Sequence, residues 1–168
     1  YLPQAVGTIW SYCNQFEEVR NRYKLAGVWW NKKIDIVDPD FIAASCYMWN
    51  WKITYDALKE IKKKYPKCRI VVGGPEPQYT SEWCKKHPEI DAVLAYYGEE
   101  TMRRLLIDDD LNIPGVVTKD FNNAAEAEYA DPKMIPSPYL NGFFDSLLKG
   151  NNQKVRAIFE GNRGCPYT

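Results

Sequence analysis

RIVVGGPEP, residues 69–77, places three β-branched apolar residues in a row and ends them with two glycines. An unbroken apolar run of strand length reads as a strand covered on both faces, because a strand with one wet face alternates apolar and polar residues. FIAASC (41–46) and AVLAYY (92–97) have the same character. Between them the spacing changes to that of helices. Trp51, Tyr55, Leu58, Ile61 and Tyr65 recur at helical steps until Pro66 stops them, residues 79–87 form a short helix before Pro88, and a helix runs from about Glu99 to Ile107 after Gly98.

Outward from this centre, Ile113-Pro114-Gly115 reads as a turn, and GVVTKD (115–120) as a last, more exposed strand. Upstream, AVGTIWSYCNQFEEVRNRY (5–23) predicts one helix, LAGVWW (25–30) a short strand and Asp38-Pro39-Asp40 a turn. Strands alternating with helices predict an α/β fold: a Rossmann-like (flavodoxin-like) doubly wound parallel sheet with helices on both faces. The pattern begins with a helix, so its first strand is expected just upstream of Tyr1, with LPQAVG (2–7) as the loop into that helix. Residues 121–153, with three prolines and five asparagines, read as an irregular linker with one short helical piece near Phe143–Leu148. KVRAIFEGNRG (154–164) reads as a strand that begins a new unit.

The 168-residue chain is 45% hydrophobic and 26% charged, enough apolar content for a core. Twenty-two basic residues balance twenty-two acidic ones, so no net field draws the chain to nucleic acid or to an anionic membrane. No apolar run approaches the ~20 residues that span a bilayer. Lys62-Lys63-Lys64 reads as the solvated end of a helix. The cysteines at 13, 46, 68, 84 and 165 are odd in number and lack C-x-x-C spacing, so reduced thiols in a cytoplasmic protein are expected. Cys13, Cys46 and Cys68 lie in apolar segments and read as small core residues. Cys165, between Gly164 and Pro166, does not.

In an open parallel sheet, ligands bind beyond the carboxyl ends of the strands. That rule selects four loops: LPQAVG (2–7), SCYMWNW (45–51), GGPEP (73–77) and YYGEE (96–100). The candidate contact residues are Leu2, Pro3, Val6 and Gly7; Ser45, Cys46, Tyr47, Trp49 and Asn50; Gly73, Gly74 and Pro75; and Tyr97, Gly98 and Glu99. Tyr47, Trp49 and Trp51 make the second loop rich in rings, which suits either a lid over the core or a flat ligand. The single histidine, His87, falls in KKHPE at the end of a short helix and reads as an exposed surface group. No GxGxxG, GxxxxGK[ST] or nucleophile elbow is present, so chemistry here calls for a cofactor.

The same loops, taken together with NIPGVV (112–117), IPSPYLNGFFDSLL (135–148) and the tail EGNRGCPYT (160–168), carry a resemblance. The chain resembles the N-terminal cobalamin-binding domain of cobalamin-dependent radical SAM enzymes, up to the start of their C-x-x-x-C-x-x-C motif. The resemblance implies a cobalamin-binding domain over 1–120, an inter-domain linker over 121–153 and the start of a radical SAM domain over 154–168. Cys165 would be the first thiolate ligand of a [4Fe–4S] cluster, an iron-sulfur ligand only in a full-length protein that also binds S-adenosylmethionine. The D-x-H-x-x-G motif of histidine-ligated cobalamin is missing. The resemblance therefore implies base-off cobalamin with no histidine ligand, serving a radical SAM barrel in the same polypeptide, in a methyltransferase acting on an unactivated carbon. Two alternatives stand beside it: a corrin-free docking or substrate-positioning domain, and a flavin-binding or receiver domain.

Overall fold

The structure, a computed structural model, describes residues 2–29, 37–149, 154–158 and 160. Its elements are α1 (Gln4–Cys13), α2 (Glu17–Arg22), β1 (Phe41–Ser45), α3 (Trp51–Lys64), β2 (Arg69–Gly73), α4 (Ser81–Lys86), β3 (Ala92–Leu94), α5 (Gly98–Asp108), β4 (Val116–Val117) and α6 (Asp145–Leu148). Short 3-10 turns lie at Ala124–Glu126 and Pro132–Met134.

The strands form one sheet in the order β1-β2-β3-β4. β1, β2 and β3 are parallel, with Phe41 beside Arg69, Ser45 beside Gly73, and Val72 beside Val93. β2 shows why the apolar runs are continuous. Successive side chains point to opposite faces, so Ile70 and Val72 enter one core while Val71 enters the other, each at most 1% exposed. The first core is closed by α3 and α4 through Leu58, Trp83 and Cys84. The second is closed by α1, α2 and α5 through Cys13, Val19 and Leu105. Full burial of one such side chain contributes about 1.5–3 kcal/mol. Helices thus cover both faces, as a doubly wound fold requires.

Polar groups fix how the layers meet. The Asp91 carboxylate accepts from the Ile70 amide (2.7 Å) and from Lys62 Nζ (2.7 Å), and Lys62 also donates to the Cys68 carbonyl (2.8 Å). Lys62 is therefore a strut between α3 and the sheet, unlike the solvated lysine expected at a helix end. Thr80 caps α4 by accepting from the Trp83 amide at 3.2 Å. Cys13, Cys46 and Cys68 are buried, as their apolar neighbours predict, and Cys84 joins them.

Several elements differ from expectation. The first helix is two: α1 ends at Cys13, Phe16 is extended, and Glu17 and Glu18 open α2, where carboxylates suit a helix start. Arg20 secures the break by donating to the Asn14 carbonyl at 2.9 Å. Residues 25–29 of LAGVWW form no strand and expose Leu25 and Trp29; Trp30 lies outside the described residues. β1 is only half buried and exposes Ala43, because among the described residues it pairs on one edge alone. β4 is antiparallel and fully buried, where a more exposed strand was expected. The turn at Gly115 (φ +82°) folds it back onto β3, and Thr118 extends the buried run at 4% exposure.

The short helix expected near Phe143–Leu148 is α6. Ahead of it the chain packs on α1: Phe144 is 3% exposed, and Asn141 Nδ2 donates to Ser11 Oγ at 2.8 Å. Residues 154–158 and 160 form no strand. Instead the Arg156 carbonyl accepts from the Leu2 amide (3.1 Å), and the Tyr139 hydroxyl donates to the Ile158 carbonyl (2.8 Å). Cys165 and the rest of the tail lie outside the described residues.

Candidate cofactor site at the carboxyl ends of the strands

Each of the parallel strands ends in a candidate loop, and backbone contacts join two of these loops into one platform. The Cys46 amide donates to the Gly73 carbonyl at 2.7 Å, and the Glu76 amide returns to the Cys46 carbonyl at 3.2 Å. Gly74 turns beneath that carbonyl with φ of +100°, a left-handed conformation that glycine adopts without steric cost. Pro75 follows, exposed. The third loop is tied in by Tyr79, whose hydroxyl accepts from the Tyr96 amide at 3.2 Å.

The ring-rich loop is braced by Asn50. Its Oδ1 accepts from the Tyr47 amide (2.7 Å), and its Nδ2 donates to the Ser45 carbonyl (3.0 Å). Both ends of the amide are spent on loop backbone, so Asn50 shapes the loop. Above it the Tyr47 and Trp49 rings stack at 4.7 Å, only 12° from parallel, and Trp49 is 75% exposed. Met48 is exposed beside them. A stacked, solvent-facing ring pair on a braced loop is a flat apolar surface with little apolar burial of its own.

Trp51 leaves this loop. It packs on Tyr55 and Trp83 in the cluster under α3 and α4. His87 belongs to the same cluster, in contrast to the exposed group expected from KKHPE. Its ring lies 3.9 Å from that of Trp83, and Nδ1 is 2.8 Å from the Trp83 carbonyl oxygen. A carbonyl only accepts, so Nδ1 carries the proton, and the imidazole is held as a structural group.

The N-terminal segment is held near the third loop through α1, which runs alongside α5. Ile9 lies against Gly98, and Tyr12 donates to Glu100 at 2.9 Å. Leu2 is buried, Pro3 precedes α1, Val6 is half buried, and Gly7 lies beneath Phe144 and Pro138. Of the stretch 2–7 expected as a loop, only Leu2 and Pro3 precede the helix; Gln4 to Gly7 form the first turn of α1, which Phe144 and Pro138 cover at Gly7. Tyr97 and Gly98 begin α5, and Glu99 is 4% exposed.

The site's electrostatics exclude some chemistry. Burial, then the Glu76 charge, pushes the Cys46 thiol up to about 12, so it carries no thiolate at neutral pH. Among the described residues, no three His, Cys, Asp or Glu side chains gather to hold a metal ion. No described helix is long and apolar enough to cross a membrane. Among the described residues, one surface cavity, by Tyr12 and Tyr129, borders the third loop at Glu100, and another, by Arg22 and Asp40, lies at the amino ends of β1 and β2. The strand-end site is a platform.

A doubly covered sheet with glycine turns and exposed rings at its carboxyl end belongs to a class, and comparison with known proteins agrees. Residues 31–106 match the family of the B12 binding domain, and the helix-covered sheet is the Rossmann-like fold of that family. This selects cobalamin over flavin or a receiver's metal.

The relatives narrow it further. Over its whole length the chain is 31% identical to the cobalamin-dependent radical SAM methyltransferase TokK of Streptomyces tokunonensis. It is also 31% identical to the 2-(S-pantetheinyl)-carbapenam-3-carboxylate methyltransferase of Streptantibioticus cattleyicolor. The chain spans 28% of the length of each.

Proposed function

We propose that this chain is the cobalamin module of a radical SAM methyltransferase and holds its corrin base-off, with no histidine on cobalt. The carrying observation is the stacked Tyr47–Trp49 pair, exposed at the strand ends and braced by Asn50. These groups fit a large, flat, partly apolar macrocycle. Where Gly73, Gly74 and Gly98 lack a side chain they meet Leu94, Cys46 and Ile9, so these glycines let the strand-end loops pack closely beneath the macrocycle. The sole histidine is occupied in the α3–α4 cluster. Bound cobalamin supplies a methyl carrier.

The chain's own residues bind and orient. Ser45, Cys46, Tyr47, Trp49 and Asn50 form one edge of the cradle; Gly73, Gly74 and Pro75 its floor; Tyr97, Gly98 and Glu99 the opposite edge. Leu2, Pro3, Val6 and Gly7 bound it beneath the Phe144 segment. By analogy with the relatives, residues 1–120 are the cobalamin domain and 121–153 its tether. Residues 154–168 lead into a barrel where Cys165 joins a [4Fe–4S] cluster that binds S-adenosylmethionine. The substrate carbon would be methylated there, in the cytoplasm.

The test adds hydroxocobalamin to the purified chain and follows corrin absorbance through gel filtration. Co-elution is expected, and electron paramagnetic resonance of the cob(II)alamin form should show no splitting from an axial nitrogen. Elution of all corrin as free cofactor would sink the reading. Nitrogen splitting would remove its base-off part.

A further inference from the structure

Tyr96 lies two residues past the end of β3 with φ of +55°. Asp38 and Asp109 share that left-handed region, but aspartate tolerates it through local hydrogen bonds, and Asp109 caps the end of α5. Tyrosine has no such excuse, because its β-carbon crowds the neighbouring carbonyl.

The conformation is held from outside. The Tyr96 amide donates to the Tyr79 hydroxyl at 3.2 Å, and the Tyr79 ring meets the Tyr96 ring edge-on at 5.2 Å. Tyr79 is itself fixed, its carbonyl accepting from Asn122 Nδ2 at 2.8 Å. The Tyr96 ring also meets Tyr129 edge-on at 6.4 Å, yet the residue remains 52% exposed, so burial alone does not explain why a ring stands where glycine would fit without strain. A strained backbone that its neighbours impose, on a side chain left in solvent at the strand ends, marks a functional position.

We propose that Tyr96 is a further corrin-contact residue and that Tyr79 is its positioning residue. The inference rests on the cobalamin reading above. The left-handed turn sets the Tyr96 ring, edge-on to Tyr79 and Tyr129, in the loop that follows β3, at the same end of the sheet as the loop that carries Trp49. There its face can pack on the edge of the macrocycle, and its phenol can hydrogen-bond a peripheral amide arm.

The experiment measures hydroxocobalamin affinity of the chain by equilibrium dialysis, with the melting temperature of the corrin-free protein as second readout. Y96G should weaken binding at least about tenfold, while the corrin-free protein melts no lower than wild type, because strain is relieved. Y96F keeps the ring and should stay within about threefold. Y79F keeps its own ring but loses the hydroxyl, and should weaken binding a few-fold. Wild-type affinity in Y96G overturns the proposal while leaving the cobalamin reading intact. So does a lower melting temperature in Y96G, since the ring would then be ordinary packing. Wild-type affinity in Y79F removes its positioning role. A wild-type chain that binds no corrin overturns both readings.

Discussion

A β-carbon built on Gly74 would stand 2.5 Å from the carbonyl oxygen of Cys46 and 3.1 Å from its amide nitrogen. Both are backbone atoms of the neighbouring strand-end loop, so neither can swing aside. With φ at +100°, G74A meets strain and collision together and should destabilise the chain by about 2–4 kcal/mol. At Gly73 the nearest atom would be the Leu94 carbonyl oxygen, at an ordinary 3.4 Å. G73A should stay within about 1 kcal/mol. Urea unfolding of the two variants side by side checks the contrast.

Glu100 gathers three donors: the Tyr12 hydroxyl and the guanidinium groups of Arg103 and Arg104. Arg103 above all, then Tyr12 and Arg104, hold its carboxyl down at about 2 from an ordinary 4.5, against the opposing effect of burial. A lowered folded-state pKa means that the unfolded chain takes up the proton first. The stabilisation is therefore complete above about pH 4.5 and is lost progressively as pH falls toward 2. E100Q should cost about 1–2 kcal/mol at neutral pH, allowing for screening at the partly exposed guanidiniums. It should also flatten the stability profile between pH 4.5 and 2. Chemical denaturation across that range measures both.

A β-carbon on Gly7 would fall 2.8 Å from Phe144 Cζ and 2.9 Å from Pro138 Cβ. G7A should loosen the segment over 138–144, with faster amide exchange there and about 1–2 kcal/mol lost. F144A empties the same contact and should cost about 2–3 kcal/mol. The double variant should lose less than the sum, because removing the ring vacates the space the new methyl needs.

Trp49 separates stability from binding. Its ring is 75% exposed and touches chiefly Tyr47, so W49A should shift unfolding by no more than about 0.5 kcal/mol. Hydroxocobalamin affinity should fall about tenfold, as expected when a stacking surface is lost. Equal affinity in W49A would remove the ring pair from the site.

The parallel strands, the helices between them and the loops at their carboxyl ends were legible in the sequence. Apolar runs such as RIVV and their glycine stops report local burial and local turning, and both are local properties of the chain. LAGVWW misleads because a short apolar run is only permission to form a strand; among the described residues, no partner pairs with it. GVVTKD does hold the expected strand, but a buried and antiparallel one. Its valines pair antiparallel with β3 because Gly115 reverses the chain, and that reversal is seated by close packing on Thr101 of α5 and by backbone bonds to Asn123. At the site, the loop glycines and the ring-rich stretch were visible as residue types. Tyr96 was not, because nothing in a residue's name gives its φ angle.

By itself, then, the sequence determined the class of fold: its periodicity encodes a helix-covered sheet with glycine- and ring-rich loops at one end, and its resemblance to a family points those loops to cobalamin. Only the tertiary structure decided which rings stay exposed at that end. Trp51 and His87 sink into the α3–α4 cluster, while Trp49 and Tyr96 stay in solvent. The physical reason is that burial and hydrogen bonding are settled between segments distant in sequence. Asn50 turns its own loop outward, and Tyr79, from another loop, dictates the backbone of Tyr96.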